Sequence, residues 1–361
     1  MLSLKRARLA GGLGVIALAV VIASSSAPAG AATPAKKATG KRIAIFYYNP
    51  SPYGIASLKG AQAEAKQVGL PLDAFDANND PNTQSTQIQD AITSGKYKAF
   101  WVWGLNDIAL TPIIKKAEQA GIKVAVADYT WGSLAQQATL KPTKGFVTTV
   151  GQAIAPEATN LIKTMNAACK HQVGNKHCNI AFLPGLANYP TDTNRENVMT
   201  AYYKAHSKQY TFTLMPPGQY NQAASQSVAQ TYFTANKNVN VLATFGDQMA
   251  AGALTAMKLV GGYTPGKNIA VIGYGGAKEQ VAEVKSGVLY ADLGLYPVAE
   301  SVIGIKDIAA ALKGQKVPDV VNIINTTTHP AIITKAFLAK YPNYVPDWTL
   351  AGNPVGDPTK A

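Results

Sequence analysis

From Lys41 onward, short apolar runs alternate with helical patterns of a dozen residues or more. Parallel βαβ units produce that alternation, because each parallel pair needs a crossover long enough to hold a helix. The strand candidates are Ile43 to Tyr48, Leu72 to Phe75, Ala99 to Trp103, Lys123 to Ala127 and Phe146 to Val150. They continue with Asn179 to Leu183, Thr211 to Met215, Val241 to Phe245, Ile269 to Ile272, Leu289 to Leu293 and Val320 to Ile324. The first helical pattern lines up Ile55, Leu58, Ala61, Ala65 and Val68 on one face and stops at Gly69, as a helix lying on a sheet does. About ten strands exceed one comfortable open sheet, so the spacing predicts two sheets in two lobes.

Ligands of open α/β sheets bind outside the carboxyl ends of the strands. The first such place is the run from Arg42 to Gly54, where an apolar strand enters a loop of two prolines and three tyrosines before the helix. Aromatic and polar residues recur at later strand ends. Trp101 and Trp103 lie in the third strand, Asp128-Tyr129-Thr130-Trp131 follows the fourth, and Asn188-Tyr189, Phe245-Gly246-Asp247, Tyr274 and Tyr296-Pro297 occur in the second half. One aromatic at a strand end is ordinary packing, but their recurrence in both halves points to a pocket.

The chain holds 361 residues, 47% hydrophobic and 15% charged, enough for two cores. Lys5, Arg6 and Arg8 precede an apolar run from Leu9 to Ala23 and small-x-small triplets at Ala27-Pro28-Ala29 and Ala29-Gly30-Ala31. This reads as an export signal too short to span a bilayer. No cysteine lies near the cleavage triplets, so a lipid anchor is not expected, and the stretch to Gly40 reads as a disordered spacer. Removing the signal takes the formal charge from +13 to three less, +10. The basic residues are scattered, with no run longer than a pair in the globular part, which argues against nucleic acid.

The two cysteines, Cys169 and Cys178, bracket a short loop that also carries His171 and His177. In an exported chain the first reading is a disulfide, and the second is a Cys/His zinc site. No metalloprotease, nucleophile-elbow or phosphate-loop motif is found, so no enzyme activity and no cofactor are expected. Gly273-Tyr274-Gly275-Gly276 imitates a dinucleotide fingerprint, but Lys278 stands where its third glycine belongs, so it reads as a tight strand-to-helix turn. His206 and His329 are expected on the surface.

At Ser57 to Ala65, at Asp247-Gln248-Met249-Ala250 and onward to Leu254, and at Ile269 to Tyr274, the sequence resembles the ribose-binding branch of type I periplasmic binding proteins. The resemblance covers roughly Lys41 to Ile324. It implies an α/β protein of two Rossmann-like lobes, each a parallel sheet flanked by helices, closing on a solute around a three-strand hinge. It also implies a non-enzymatic monomer serving an ABC permease, with a ligand-sensing receptor as the alternative. On that basis residues 1–31 are signal and 32–40 spacer. Residues 41–149 plus 297–325 form the first lobe, 150–296 plus 326–352 the second, and 353–361 a tail.

Carried over residue by residue, the resemblance places Ser51, Tyr53 and Gly54 in the ligand-facing first loop and Asp128 as the binding aspartate. Tyr129 replaces the arginine that follows it, and Trp103 replaces an asparagine. The hydroxyl-gripping arginine falls at Asn197, with Arg195 as its substitute. Gly246, Gly275 and Leu295 stand where an asparagine, an aspartate and a glutamine are expected. Tyr48, Tyr189, Asp247, Tyr274 and Tyr296 complete the expected site. A sugar hydroxyl left without its partner costs about 1–3 kcal/mol, whereas tyrosine rings stack on flat ligands and still offer a hydroxyl. An ionised Asp128 in such a pocket needs a donor or a cation, as an amine-bearing or phenolic ligand supplies.

Overall fold

The structure, a computed structural model, describes residues 40–324 and 329–348. The expected signal, nearly all of the spacer and the tail lie outside them. The first sheet gathers β1 (Arg42–Tyr47), β2 (Leu72–Asp76), β3 (Tyr97–Val102), β4 (Lys123–Asp128), β5 (Thr149–Gly151) and β11 (Val320–Asn322) in the order β11-β5-β4-β3-β1-β2. Every pairing in it is parallel. The second sheet holds β6 (Cys178–Leu183), β7 (Tyr210–Leu214), β8 (Val241–Thr244), β9 (Ala270–Gly275), β10 (Ala291–Gly294) and β12 (Ile332–Thr334) in the order β12-β10-β9-β8-β6-β7. Here β12 runs antiparallel to β10.

All eleven expected strands form, with shifted ends. The twelfth, β12, carries only Ile332 and Ile333 as apolar residues and is preceded by Pro330, too short a signal to stand out. The chain therefore passes between the sheets three times, after β5, after β10 and after β11.

Burial on both faces explains why the strands read as continuous apolar runs. In β1, Ile43, Ala44, Ile45 and Phe46 are all fully buried. Alternation sends Ala44 and Phe46 to a core with Ile88, Ile113 and Ile114 from the helices α2 (Pro81–Ser94) and α3 (Asp107–Gln119). Ile43 and Ile45 face a core shared with Ala61 of α1 (Pro52–Gln67) and Ile305 of α10 (Pro297–Leu312). The second sheet is covered by α5 (Ile154–Val173) and α6 (Pro190–Ala205) on one side, and by α7 (Gln222–Ala235), α8 (Asp247–Val260) and α9 (Lys278–Ser286) on the other. Among the described residues no helix is long and apolar enough to cross a membrane.

Cys169, near the end of α5, and Cys178, opening β6, form a disulfide with a Cα–Cα distance of 5.8 Å. That decides against the zinc reading, and the flanking histidines have other partners. His177 shares hydrogen bonds with the Lys208 carbonyl and the Thr211 hydroxyl, and His171 packs against Tyr290. His206 is half-buried, stacked on Tyr202. His329 is a correction: it is 4% exposed, edge-on to Tyr296, and burial pushes its pKa down to about 4.

Candidate functional site

Strand order reverses at β1/β3 in the first sheet and at β6/β8 in the second, and the loops leaving these strands face one cleft. From the first lobe come Tyr48, Ser51, Tyr53 and Asp128. Opposite them stand Tyr189 and Arg195 around α6, Tyr220 before α7, Phe245, Gly246 and Gln248 after β8, and Tyr274 of β9. Leu295, at the second crossing, and Trp348 close one side. The space measures about 490 Å³ including its mouth, and the enclosed part is small.

Ser51 caps α1, its hydroxyl accepting from the Gly54 amide at 3.3 Å, and Pro52 starts the helix, which fixes where Tyr53 points. Tyr53 stacks on Tyr48 (ring centroids 6.3 Å, 14° between planes), meets Trp348 edge-on at 5.8 Å, and donates its hydroxyl to Glu300 of α10. The same carboxylate accepts from the Asp128 amide through its other oxygen. Burial first, then the Asp128 charge, pushes the Glu300 pKa well above the ordinary carboxylate range.

Asp128 ends β4 with φ +73°, and the Tyr129 amide donates back to the Ala127 carbonyl at 2.9 Å. A three-residue turn with positive φ is strained, and aspartate is among the few side chains that tolerate it. The turn aims the carboxylate into the cleft, where Tyr189 donates to Oδ2 at 3.1 Å. Burial raises the Asp128 pKa, while the Arg195 charge and the Tyr189 hydrogen bond act against that rise.

Arg195 is 5% exposed and held between two acids. It reaches Glu157 Oε2 through Nε at 2.9 Å and through a terminal nitrogen at 2.7 Å, and Asp192 at 3.5 Å. The rings of Phe245 and Tyr274 lie 5.5 Å from its guanidinium carbon. Tyr274 donates to Glu157 Oε1 at 2.6 Å, and Tyr220 donates to Asp192 Oδ1 at 2.6 Å. Burial brings Asp192 up to about 7. It also raises Glu157, against the pull of Arg195.

Seven of the twelve residues expected from sequence line the cleft: Tyr48, Ser51, Tyr53, Asp128, Tyr189, Arg195 and Tyr274. The other five lie elsewhere. Asn197 is two residues past Arg195, about 200° around the helix, and faces solvent. Trp103 is 1% exposed and packs edge-on against Trp101 at 5.3 Å. Tyr129 turns away from the cleft and donates to the Gly104 carbonyl at 3.0 Å. Tyr296 is buried behind the crossing and donates to the Pro330 carbonyl.

Asp247 lies beneath the cleft, accepting from the Ala277 amide at 2.8 Å. A Cβ on Gly275 would sit 2.4 Å from its Oδ2, so that glycine makes room for a carboxylate and cradles no phosphate. Tyr220, Phe245, Gly246, Gln248, Leu295 and Trp348 also line the cleft, in addition to the twelve residues expected to bind. Phe245 was legible as a strand-end aromatic, and Gly246 and Leu295 as substituted positions. Tyr220 and Trp348 sit in irregular segments with no periodic signal.

Residues 43–316 match the family described as periplasmic binding protein domain. The chain belongs to that family. This periplasmic binding protein is 24% identical over 270 residues to the ribose import binding protein RbsB of Escherichia coli K12, covering 74% of this chain and 83% of that one. It is likewise 24% identical over 272 residues to the D-allose-binding periplasmic protein of the same organism, with the same coverage. Among solved structures it resembles an ABC transporter solute-binding protein from Mycobacterium smegmatis with bound glycerol, at TM-score 0.69 and 23% identity, over 83% of this chain and 96% of that one. It also resembles the Caulobacter myo-inositol binding protein, at TM-score 0.67 and 17% identity, over 84% and 97% of the two chains. These structural likenesses establish the fold. Members of the family bind solutes and carry out no reaction.

Proposed function

We propose that this protein is the exported solute-binding component of an ABC importer, working as a monomer and delivering a compact, hydroxyl-bearing ring to a membrane permease. The observation that carries the reading is the convergence, from two lobes joined by three connections, of Asp128 and stacked Tyr48 and Tyr53 on one side with Tyr189 and Tyr274 on the other. A ligand touching both sides binds the closed form better than the open one, and that difference signals occupancy to the permease. The names of the relatives support a sugar or cyclitol. Gly246, Gly275 and Leu295 offer no side-chain hydrogen bond, so ring stacking takes a larger share of recognition here.

A thermal-shift panel of pentoses, hexoses, cyclitols, polyols, aromatic acids and amines tests this. At least one compact ring compound should raise Tm by several degrees, and isothermal calorimetry should confirm one site per chain. A panel in which no compound shifts Tm would sink the reading. Adjacent permease and ATPase genes are the expected sign of transport.

A further inference from the structure

The direction of the hydrogen bonds around the cleft restricts the ligand further. Tyr53, Tyr189, Tyr220 and Tyr274 all donate their only hydroxyl proton to buried carboxylates, those of Glu300, Asp128, Asp192 and Glu157. Where the acid is ionised, such a hydroxyl has only lone pairs left for a ligand. Trp348 donates its indole N–H to the carbonyls of Gly275 and Leu295 at 2.9 and 3.1 Å. The charge of Arg195 is matched by Glu157 and Asp192. Among the described side chains in the lining, the Tyr48 and Ser51 hydroxyls, the second amide proton of Gln248, whose Nε2 donates once to the Tyr220 carbonyl, and the guanidinium N–H groups of Arg195 beyond those on Glu157 and Asp192 are left to donate. The cleft is thus rich in acid oxygens and ring faces, and Asp128 reaches its wall with a single side-chain donor and no cation of its own.

Such a site disfavours anions, because its one guanidinium, Arg195, is already paired with Glu157 and Asp192, while Asp128 faces the cleft with no ion pair among the described residues. It attracts a cation, which finds a carboxylate at one side and tyrosine π-faces around it. Building on the solute-binding reading, we propose that the ligand is a compact ring bearing a protonated amine, an amino sugar or a cyclic amine, with its ammonium against Asp128. A neutral ring of the same shape lacks the ammonium–carboxylate pair and the cation–π contact, so it binds more weakly.

Calorimetry on the full chain with three matched trios tests this: glucosamine, glucose and glucuronate; galactosamine, galactose and galacturonate; benzylamine, benzyl alcohol and benzoate. In at least one trio the amine should bind about tenfold or more tighter than its neutral partner, and the acids should not bind. Asp128→Asn, whose asparagine also tolerates positive φ, should bring amine and neutral partner to equal affinity. Neutral members binding as well as the amines, or any acid binding, would overturn the cationic assignment and leave the solute-binding reading standing. Failure of every trio and of the wider panel would overturn both.

Discussion

Tyr189 of the second lobe donates a hydrogen bond to Asp128 of the first at 3.1 Å, and its ring meets Tyr129 edge-on at 6.3 Å. One residue thus links the lobes and orients the carboxylate that faces the cleft. Tyr189→Phe keeps the ring and deletes the bond, so the closed arrangement should lose about 1 kcal/mol and ligand affinity should fall about fivefold. Thermal stability should change little. Small-angle scattering should show a larger radius for the unliganded variant than for the parent; an unchanged radius and affinity would reduce this bond to a bystander.

Arg195 holds two buried acids at once, and neither has solvent to fall back on. Arg195→Met removes the cation and leaves Glu157 and Asp192 without their counter-charge, a loss of about 3–5 kcal/mol. Urea denaturation should show a lower midpoint. Combining it with Glu157→Gln should recover part of the loss, because the glutamine still accepts from Tyr274 and carries no charge.

The strands were readable because burial on both faces leaves uninterrupted apolar runs such as Ile43 to Phe46. Asp128 and Tyr53 were readable because a strand end in an open sheet is a known place for ligands. Glu157 and Glu300 were not, although they hold the site together. Each lies in the first turn of a helix that follows a crossing between sheets, where an acid reads as ordinary dipole complementation. Arg195 and Asn197 could not be separated by alignment, whereas the turn of the helix separates them at once.

The disulfide closes a loop of nine residues between the end of α5 and the start of β6. Loop-closure entropy assigns such a link about 2–3 kcal/mol. Reduction, or the double variant Cys169→Ala/Cys178→Ala, should lower Tm by several degrees without altering ligand affinity, since the loop lies at the end of the sheet opposite the cleft. Free-thiol titration of the native chain should find none among these two cysteines.

Asp247 and Asp292 face each other across Gly273, whose added Cβ would lie 3.2 Å and 2.8 Å from their Oδ1 atoms. Their Oδ2 atoms accept from the Ala277 and Gly276 amides at 2.8 and 3.0 Å, while neither Oδ1 has another protein donor among the described residues. Two carboxylates so placed hold a proton between them. Burial, the larger effect, brings Asp247 to about 7; burial and then the Asp247 charge push Asp292 well above the usual range. Both folded-state values exceed that of the unfolded chain, so the folded state binds more protons and stability is greatest on the acidic side. It falls as pH rises from about 4 through 7 for Asp247, and further above that for Asp292. Asp347 and Asp192, also raised to about 7 by burial, add to the same slope. Chemical denaturation at pH 5, 6, 7 and 8 should therefore show decreasing stability. Asp292→Asn supplies a permanent donor to Asp247 Oδ1 and keeps an acceptor for the Gly276 amide, so it should flatten the slope and raise stability at pH 8. A variant with the same slope as the parent would show that the pair carries no shared proton.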